Sequence, residues 1–191
     1  CDFYSTTDLA RREIFTESII KEAELRLEQA GSAFSFDTVF IGGGTPSLLT
    51  PGQIGRIMDA VRRRANIPDS TEFTIESNPG SLSRELLKEY KQLGINRLSI
   101  GVQSFADADL AFLGRVHTSA QARSAIGEAL GVGFENVNLD LIFEIPGQTI
   151  DTWKENLQAA MEIGVPHISA YSLIFEEWTP LYDDWVAGRT A

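Results

Sequence analysis

Apolar and polar positions along the chain repeat with two different periods. Short apolar runs, such as Thr38-Val39-Phe40-Ile41, have the length of buried strands, whereas the segments between them repeat apolar residues every three or four positions. Strands are expected near residues 37–41, 71–76, 97–101, 136–142 and 167–173. Because strands and helices alternate, the pattern predicts a parallel sheet with right-handed crossovers, either open or curved into a barrel.

Capping residues mark where the helices begin. Thr50-Pro51-Gly52-Gln53 and Thr118-Ser119-Ala120-Gln121 both have the spacing of a capping box. A long first helix is expected over residues 8–30 and a last long helix over residues 150–163. The apolar positions expected to face the core are Ile14, Phe15, Ile19, Ala23 and Leu27 in the first helix and Trp153, Leu157 and Met161 in the last.

The composition indicates one domain over residues 1–191. A chain of 191 residues with 43% apolar content can bury a single core, and its net charge of −11 argues against general binding to nucleic-acid phosphates. No apolar run has the length of a membrane span and no secretory signal is visible, so we expect a cytoplasmic protein. Cys1 is the single cysteine, which excludes an internal disulfide, and a chain that starts there without Met is expected to be a fragment.

The glycine run that follows the first predicted strand is the strongest candidate for a binding loop. Gly42-Gly43-Gly44-Thr45-Pro46-Ser47 leaves backbone N–H groups bare, so that a ligand can approach closely. The run lacks the Lys-Ser or Lys-Thr pair of a phosphate-binding P-loop and the spacing of a dinucleotide fingerprint. A simple turn between strand and helix is the alternative interpretation.

Polar side chains also lie at the ends of later predicted strands. Glu76, Gln103, Asp140 and the pair Tyr171-Ser172 each follow or interrupt an apolar run. A ligand face built from every strand end is typical of a barrel, so these positions favour the barrel over the open sheet. Asp140 lies among Leu and Ile residues, where a carboxylate either holds a ligand or pairs with a structural neighbour.

The remaining candidates have simpler alternatives. Arg115 follows a short predicted helix and could bind a carboxylate, although an exposed surface arginine is an equal alternative. His117 and His167 are the only histidines and have no Cys or Glu at ligand spacing, so a protein zinc site is not expected.

Eight ordered motifs give the chain its likeness to a known family. They are Cys1-Asp2-Phe3-Tyr4-Ser5, Gly42-Gly43-Gly44-Thr45-Pro46-Ser47, Ile75-Glu76-Ser77-Asn78-Pro79, Arg97-Leu98-Ser99-Ile100-Gly101-Val102-Gln103-Ser104-Phe105, Leu113-Gly114-Arg115-Val116-His117, Asn138-Leu139-Asp140-Leu141-Ile142-Phe143, Ile145-Pro146-Gly147-Gln148-Thr149 and Tyr171-Ser172-Leu173-Ile174-Phe175-Glu176-Glu177. Together they resemble the radical S-adenosylmethionine (SAM) enzymes of the oxygen-independent coproporphyrinogen III oxidase family. The first motif resembles the haem-chaperone branch of that family more than the true oxidases.

The resemblance implies a partial (β/α)6 barrel that binds a [4Fe–4S] cluster and SAM. Cys1 would be the third cysteine of the cluster loop, so the first strand, the start of that loop and a C-terminal domain would lie outside this chain. The residues implied to bind SAM are Gly43, Gly44 and Thr45 at the methionyl group, Glu76 in the same pocket, Arg115 at the carboxylate, Gln103 and Asp140 at the ribose, and Ile174 near the adenine. The chain departs from the family at Glu144 and Trp178, where Gly is usual.

Three functions remain open at this stage. The first is a haem chaperone that binds the cluster, SAM and haem, with a haemoprotein acceptor and an electron donor as partners. The second is oxidative decarboxylation of coproporphyrinogen III to protoporphyrinogen IX, so the motifs leave open whether the protein is an enzyme, and no catalytic residue is assigned. The third is a flavin or sugar-phosphate barrel without a cluster.

Overall fold

The computed structural model describes residues 8–31 and 34–190 and contains a parallel sheet of five strands. The strands are β1 (Thr38–Ile41), β2 (Glu72–Ser77), β3 (Arg97–Gln103), β4 (Asn136–Phe143) and β5 (His167–Ser172). Each strand pairs in parallel with the one before it, in the order β1-β2-β3-β4-β5. The predicted alternation of strands and helices is therefore confirmed, and every predicted strand lies within two residues of the observed one.

Seven α-helices and three short 3₁₀ turns connect the strands within the described residues. The helices are α1 (Arg12–Ala30), α2 (Pro51–Arg62), α3 (Arg84–Gln92), α4 (Asp107–Phe112), α5 (Ser119–Gly131), α6 (Ile150–Ile163) and α7 (Pro180–Val186). Both predicted capping boxes form, at Thr50 and Thr118. In the part of the chain that the structure describes, no helix combines the length and the hydropathy needed to cross a membrane.

The hydrophobic core lies between one face of the sheet and helices α2, α3, α5 and α6. Alternate residues of the central strands project into it, and the helices add the side chains that cover them. The strand residues in this core are Phe73, Ile75, Leu98, Ile100, Val102, Val137, Leu139 and Leu141, and the helix residues include Ile54, Met58, Leu87, Tyr90, Ile126 and Ala160. The helices cover this face of the sheet, and the other alternate residues of each strand lie on the opposite face.

The first helix does not bury the face that its apolar residues predict. It begins at Arg12 after a 3₁₀ turn, and Ile14 and Phe15 are 70% and 55% exposed. Its contacts with α2 include ion pairs, in which Arg56 meets two acidic side chains of α1. Because α1 lies against another helix rather than against the sheet, it buries only Thr16 fully among its described side chains. The predicted inward face is thus wrong at Ile14 and Phe15.

The predicted inward face of the sixth helix is confirmed at Trp153 and Leu157, which pack against the core, and is wrong at Met161. Met161 is 61% exposed, whereas Asn156 is 2% exposed. Asn156 faces inward because its Oδ1 accepts a hydrogen bond from the Phe105 backbone N–H and lies 3.1 Å from Ser104 Oγ. These contacts favour a rotation of α6 that takes Met161 away from the core.

A buried polar cluster fixes the loop that follows β3. Ser104 Oγ donates to Asp109 Oδ2 at 2.7 Å, and Gln148 Nε2 donates to the same oxygen at 2.9 Å. Ser104 and Asp109 are 0% and 7% exposed. Together with Asn156 on α6, these groups join the exit of β3 to α4 and to the loop before α6. These contacts fix the position of the loop after β3 at the carboxyl end of the sheet.

Three non-glycine residues have a left-handed backbone among the described residues. They are Gln103 with φ of 68°, Glu144 with 61° and Trp178 with 69°. Glu144 and Trp178 are the two positions at which the family resemblance leads us to expect Gly. The loops therefore keep a conformation suited to Gly although larger residues occupy them, which strains the backbone locally.

Candidate functional site

The glycine loop and Glu76 form the best-defined contact of the site. β1 ends at Ile41, and the backbone N–H of Gly43 then donates to Glu76 Oε2 on the neighbouring strand at 2.8 Å. Gly43 and Gly44 have φ of 88° and 60°, and a Cβ on either would meet nothing within 4 Å. The loop therefore has a left-handed backbone with open space beside it, as close approach by a ligand requires.

Two further glycines make room for the side chains around this loop. A Cβ on Gly42 would overlap the Phe40 ring and lie 3.1 Å from Glu76 Cδ. A Cβ on Gly101 would lie 2.8 Å from Gln103 Nε2 and 3.4 Å from Asn78 Oδ1. Any larger residue at Gly42 would displace the carboxylate that holds Gly43.

Asn78 is a site residue that the sequence analysis did not select. Its Nδ2 donates to Thr45 Oγ1 at 3.2 Å, which joins the end of β2 to the glycine loop. A second link nearby joins Ser47 and Ser81 through their hydroxyl oxygens at 2.6 Å. The clue in the sequence was the position of Asn78, two residues after Glu76 at the end of a strand.

Gln103, the last residue of β3, combines a left-handed backbone with low solvent exposure. Its φ is 68°, the register with β4 shifts between Ile100 and Gln103, and the residue is only 9% exposed. Its side-chain amide makes no hydrogen bond with any described residue. Its N–H and C=O groups are therefore available to bind a polar ligand atom.

Asp140 lies on β4, with both carboxylate oxygens engaged. Oδ2 accepts from Ser99 Oγ at 3.1 Å, and Oδ1 accepts from Asn138 Nδ2 at 2.8 Å. Burial raises the pKa of Asp140 above its usual value, and these two hydrogen bonds and the charge of Arg97 act in the opposite direction. Each oxygen still has lone pairs that can accept from a ligand hydroxyl.

The polar residues of the strands share the face opposite the helices. On β2 to β5 this polar face carries Glu72, Thr74, Glu76, Arg97, Ser99, Asn136, Asn138, Asp140, His167 and Ser169. Glu76 is in register with Ser99, and Ser99 binds Asp140. Glu76 and Asp140 therefore lie on the same face, in the carboxyl halves of their strands, as predicted.

The other predicted residues lie apart from these contacts. Arg115 is exposed as a residue, yet the surrounding protein desolvates its guanidinium and lowers the pKa of Arg115, and it forms no ion pair with a described residue. Ile174 follows β5 and is 65% exposed. His117 is structural, since its Nε2 lies 3.1 Å from the Val102 carbonyl oxygen. Cys1 lies outside the described residues, within which no three His, Cys, Asp or Glu side chains form a group that could hold a metal ion.

Comparisons with known proteins identify the family of this chain. A family model described as "Radical SAM superfamily" matches residues 1–173. A protein named "Heme chaperone HemW" from Lactococcus lactis subsp. lactis (strain IL1403) is 37% identical over 180 residues, which cover 94% of this chain and 46% of that protein. A protein of the same name from Bacillus subtilis (strain 168) is 42% identical over 153 residues, which cover 80% of this chain and 40% of that protein. This chain therefore spans less than half the length of these relatives.

A solved structure shows the same fold. It is the structure titled "Coproporphyrinogen III oxidase (HemN) from Escherichia coli is a Radical SAM enzyme", which superposes with a TM-score of 0.83 at 24% sequence identity. The superposition covers 92% of this chain and 40% of that one. At this identity the likeness is evidence for the fold, and the partial barrel expected from the sequence is consistent with it.

Proposed function

The chain belongs to the radical SAM superfamily, and we propose that it is the SAM-binding core of a haem chaperone-like protein. The superfamily implies a [4Fe–4S] cluster and SAM as cofactors. We propose a haem chaperone because two relatives, 37% and 42% identical to this chain, are named haem chaperones. Because the chain spans less than half of each relative, the activity of the whole protein is part of the proposal.

The observation that carries the proposal is the set of free binding groups along the polar face. The glycine loop has open space beside Gly43 and Gly44, the Gln103 amide has no partner among the described residues, and each Asp140 oxygen has a further lone pair that can accept a hydrogen bond. SAM offers matching chemistry, with an ammonium and a carboxylate at one end and a ribose diol in the middle. The residues present therefore fit this cofactor.

Each residue has a role that follows from its chemistry. Gly43 and Gly44, with Thr45, would line the methionyl group through their backbone, and Glu76 would hold the loop and add negative charge near the SAM ammonium. Gln103 and Asp140 would accept the ribose hydroxyls, because amide and carboxylate oxygens are good acceptors. Arg115, whose guanidinium forms no ion pair within residues 8–31 and 34–190, would pair with the SAM carboxylate, and Ile174 would lie by the adenine.

The cluster would be held by thiolates. Cys1 would supply one of them, and a cluster of this type needs further cysteines, which this chain does not contain. When bound, the cluster supplies one electron at a time, which is the chemistry that SAM cleavage requires. A cytoplasmic location belongs to the same proposal, because free thiolates persist in a reducing compartment.

The test uses the full-length protein with its cluster reconstituted under anaerobic conditions. We expect haem to bind with a saturating absorbance change and to pass to an apo-haemoprotein when one is added. The same preparation, given SAM and a reductant, should not convert coproporphyrinogen III to protoporphyrinogen IX. A sample that fails to bind haem would contradict the chaperone assignment.

Oxidase activity is the second candidate, because most of the motifs quoted above are shared by the haem-chaperone and oxidase branches of the family that the chain resembles. Turnover to protoporphyrinogen IX in the assay above would establish it in place of the chaperone. The SAM-site residues would be unaffected by that outcome, because they rest on the geometry of the polar face.

A further inference from the structure

We propose that Asn138 and Ser99 are positioning residues that hold the Asp140 carboxylate for a ribose diol. This inference rests on the proposed function, since the diol is that of SAM. Neither residue belongs to the set of site residues predicted from the sequence. Asn138 and Ser99 are 2% and 6% exposed, so they act on the ligand through Asp140.

The three side chains form a closed ring of hydrogen bonds. Asn138 Nδ2 donates to Asp140 Oδ1 at 2.8 Å and to Ser99 Oγ at 2.8 Å. Ser99 Oγ in turn donates to Asp140 Oδ2 at 3.1 Å. Each carboxylate oxygen is thus fixed by its own donor, which prevents rotation about the bond to the carboxyl group.

The orientation of the Asn138 amide is itself determined by β5. Its carbonyl oxygen accepts from His167 Nδ1 and from Ser169 Oγ, the latter at 3.1 Å. A flipped amide would bring its oxygen to 2.8 Å from Asp140 Oδ1, where two acceptors repel each other. The NH₂ group of Asn138 therefore faces Asp140.

A carboxylate fixed at both oxygens suits a pair of adjacent hydroxyls. The ring occupies one lone pair of each Asp140 oxygen and leaves the others for the ligand. The two hydroxyls of a ribose can then donate to one carboxylate with little further ordering. Preorganisation of this kind increases affinity because less side-chain freedom is lost on binding. Loss of the ring should therefore weaken recognition of the diol specifically.

The first measurement compares two ligands in the full-length protein with its cluster. Calorimetry with S-adenosylhomocysteine and with its 2′-deoxy analogue gives the preference for the ribose hydroxyl. The natural chain should prefer the ribose form by about tenfold or more, as a charge-assisted hydrogen bond implies. Asn138→Ala should reduce that preference to within about threefold, whereas Asn136→Ala should keep it. Asn136 is a matched control on the same strand and face, bonded to Glu72 instead.

Ser99 provides a second pair of variants if Asn138→Ala fails to fold. Ser99→Ala removes the donor to Asp140 Oδ2 and should also reduce the preference, while Ser99→Thr keeps the hydroxyl and should restore it. A merely structural role would weaken both ligands equally and leave their ratio unchanged. An unchanged ratio in both Asn138→Ala and Ser99→Ala would overturn the proposal.

A ligand-free measurement separates this inference from the proposed function. Carbon-13 NMR of labelled aspartate carboxyls in the full-length protein follows the Asp140 titration, identified by its loss in Asp140→Asn. Asn138→Ala should raise the Asp140 pKa further, because it removes a hydrogen bond that favours the ionised carboxylate. The nearby basic residues Arg97 and His167 are both kept in this variant. A wild-type protein that binds no S-adenosylhomocysteine would overturn the proposed function and this inference with it. Binding with an unmoved titration would overturn the ring alone.

Discussion

Replacement of Glu144 by Gly should make the protein more stable, although it removes a whole side chain. Glu144 has φ of 61°, is exposed, and its side chain makes no hydrogen bond or ion pair with a described residue. A left-handed backbone costs a non-glycine residue about 1–2 kcal/mol. Gly offsets roughly 0.5–1 kcal/mol of the stability gained by removing this strain, because it increases the conformational entropy of the unfolded chain. The net gain in unfolding free energy should therefore lie between about 0 and 1.5 kcal/mol, with a central value of about 0.75 kcal/mol.

The assay is urea denaturation of the full-length protein, followed by far-UV circular dichroism. Glu144→Gly should raise the midpoint without changing the slope of the transition. Glu135→Gly is the matched control, since Glu135 is exposed in a loop and lacks a positive φ. In the control only the entropic term remains, so the midpoint should fall. If both variants lower the midpoint by the same amount, the strain assigned to Glu144 does not exist.

Three further outcomes are expected. Asp140→Ala should weaken SAM binding by about 1–3 kcal/mol in calorimetry, the usual loss for a charge-assisted hydrogen bond, and an unchanged affinity would leave Asp140 a structural role. Asp140→Asn should stabilise the fold at pH 7, because burial raises the pKa of Asp140 in the folded state and ionisation of the carboxyl then opposes folding. The gain in urea midpoint should shrink as the pH falls towards 3.8, the ordinary pKa of an aspartate, and a gain that does not change with pH would refute this cause. Asn156→Ala should lower the unfolding free energy by about 1–3 kcal/mol, because the Phe105 N–H loses its acceptor, and a change within experimental error would show that water replaces it.

The sequence predicted the strands well because short apolar runs and capping boxes are local signals. Thr50 and Thr118 cap their helices whatever the rest of the fold does. The partner of an amphipathic helix is not a local property. Ile14 and Phe15 have the spacing of a buried face, but α1 lies against α2 with ion pairs at the contact. Periodicity alone could not distinguish that neighbour from the sheet.

The site shows the same division between local and distant information. The glycine loop and Asp140 were detectable because each departs from its apolar surroundings in the sequence. Asn78 was signalled only by its position two residues after Glu76, and Asn138 was not detectable, since the importance of both depends on which strand lies beside them. Asn138 meets Ser99 only because β3 and β4 pair in that register. A single sequence gives no register, so the ring around Asp140 was visible only in three dimensions.

The sequential order of the strands has a consequence for synthesis on the ribosome. Each of the five strands pairs with the strand made just before it, so the sheet can grow from one edge as the chain emerges. Every addition then closes one loop of moderate length, and the entropy lost at each step stays small. β2, β3 and their helices can acquire a core before β5 is translated. The architecture therefore permits cotranslational folding in which each strand–helix unit serves as the template for the next.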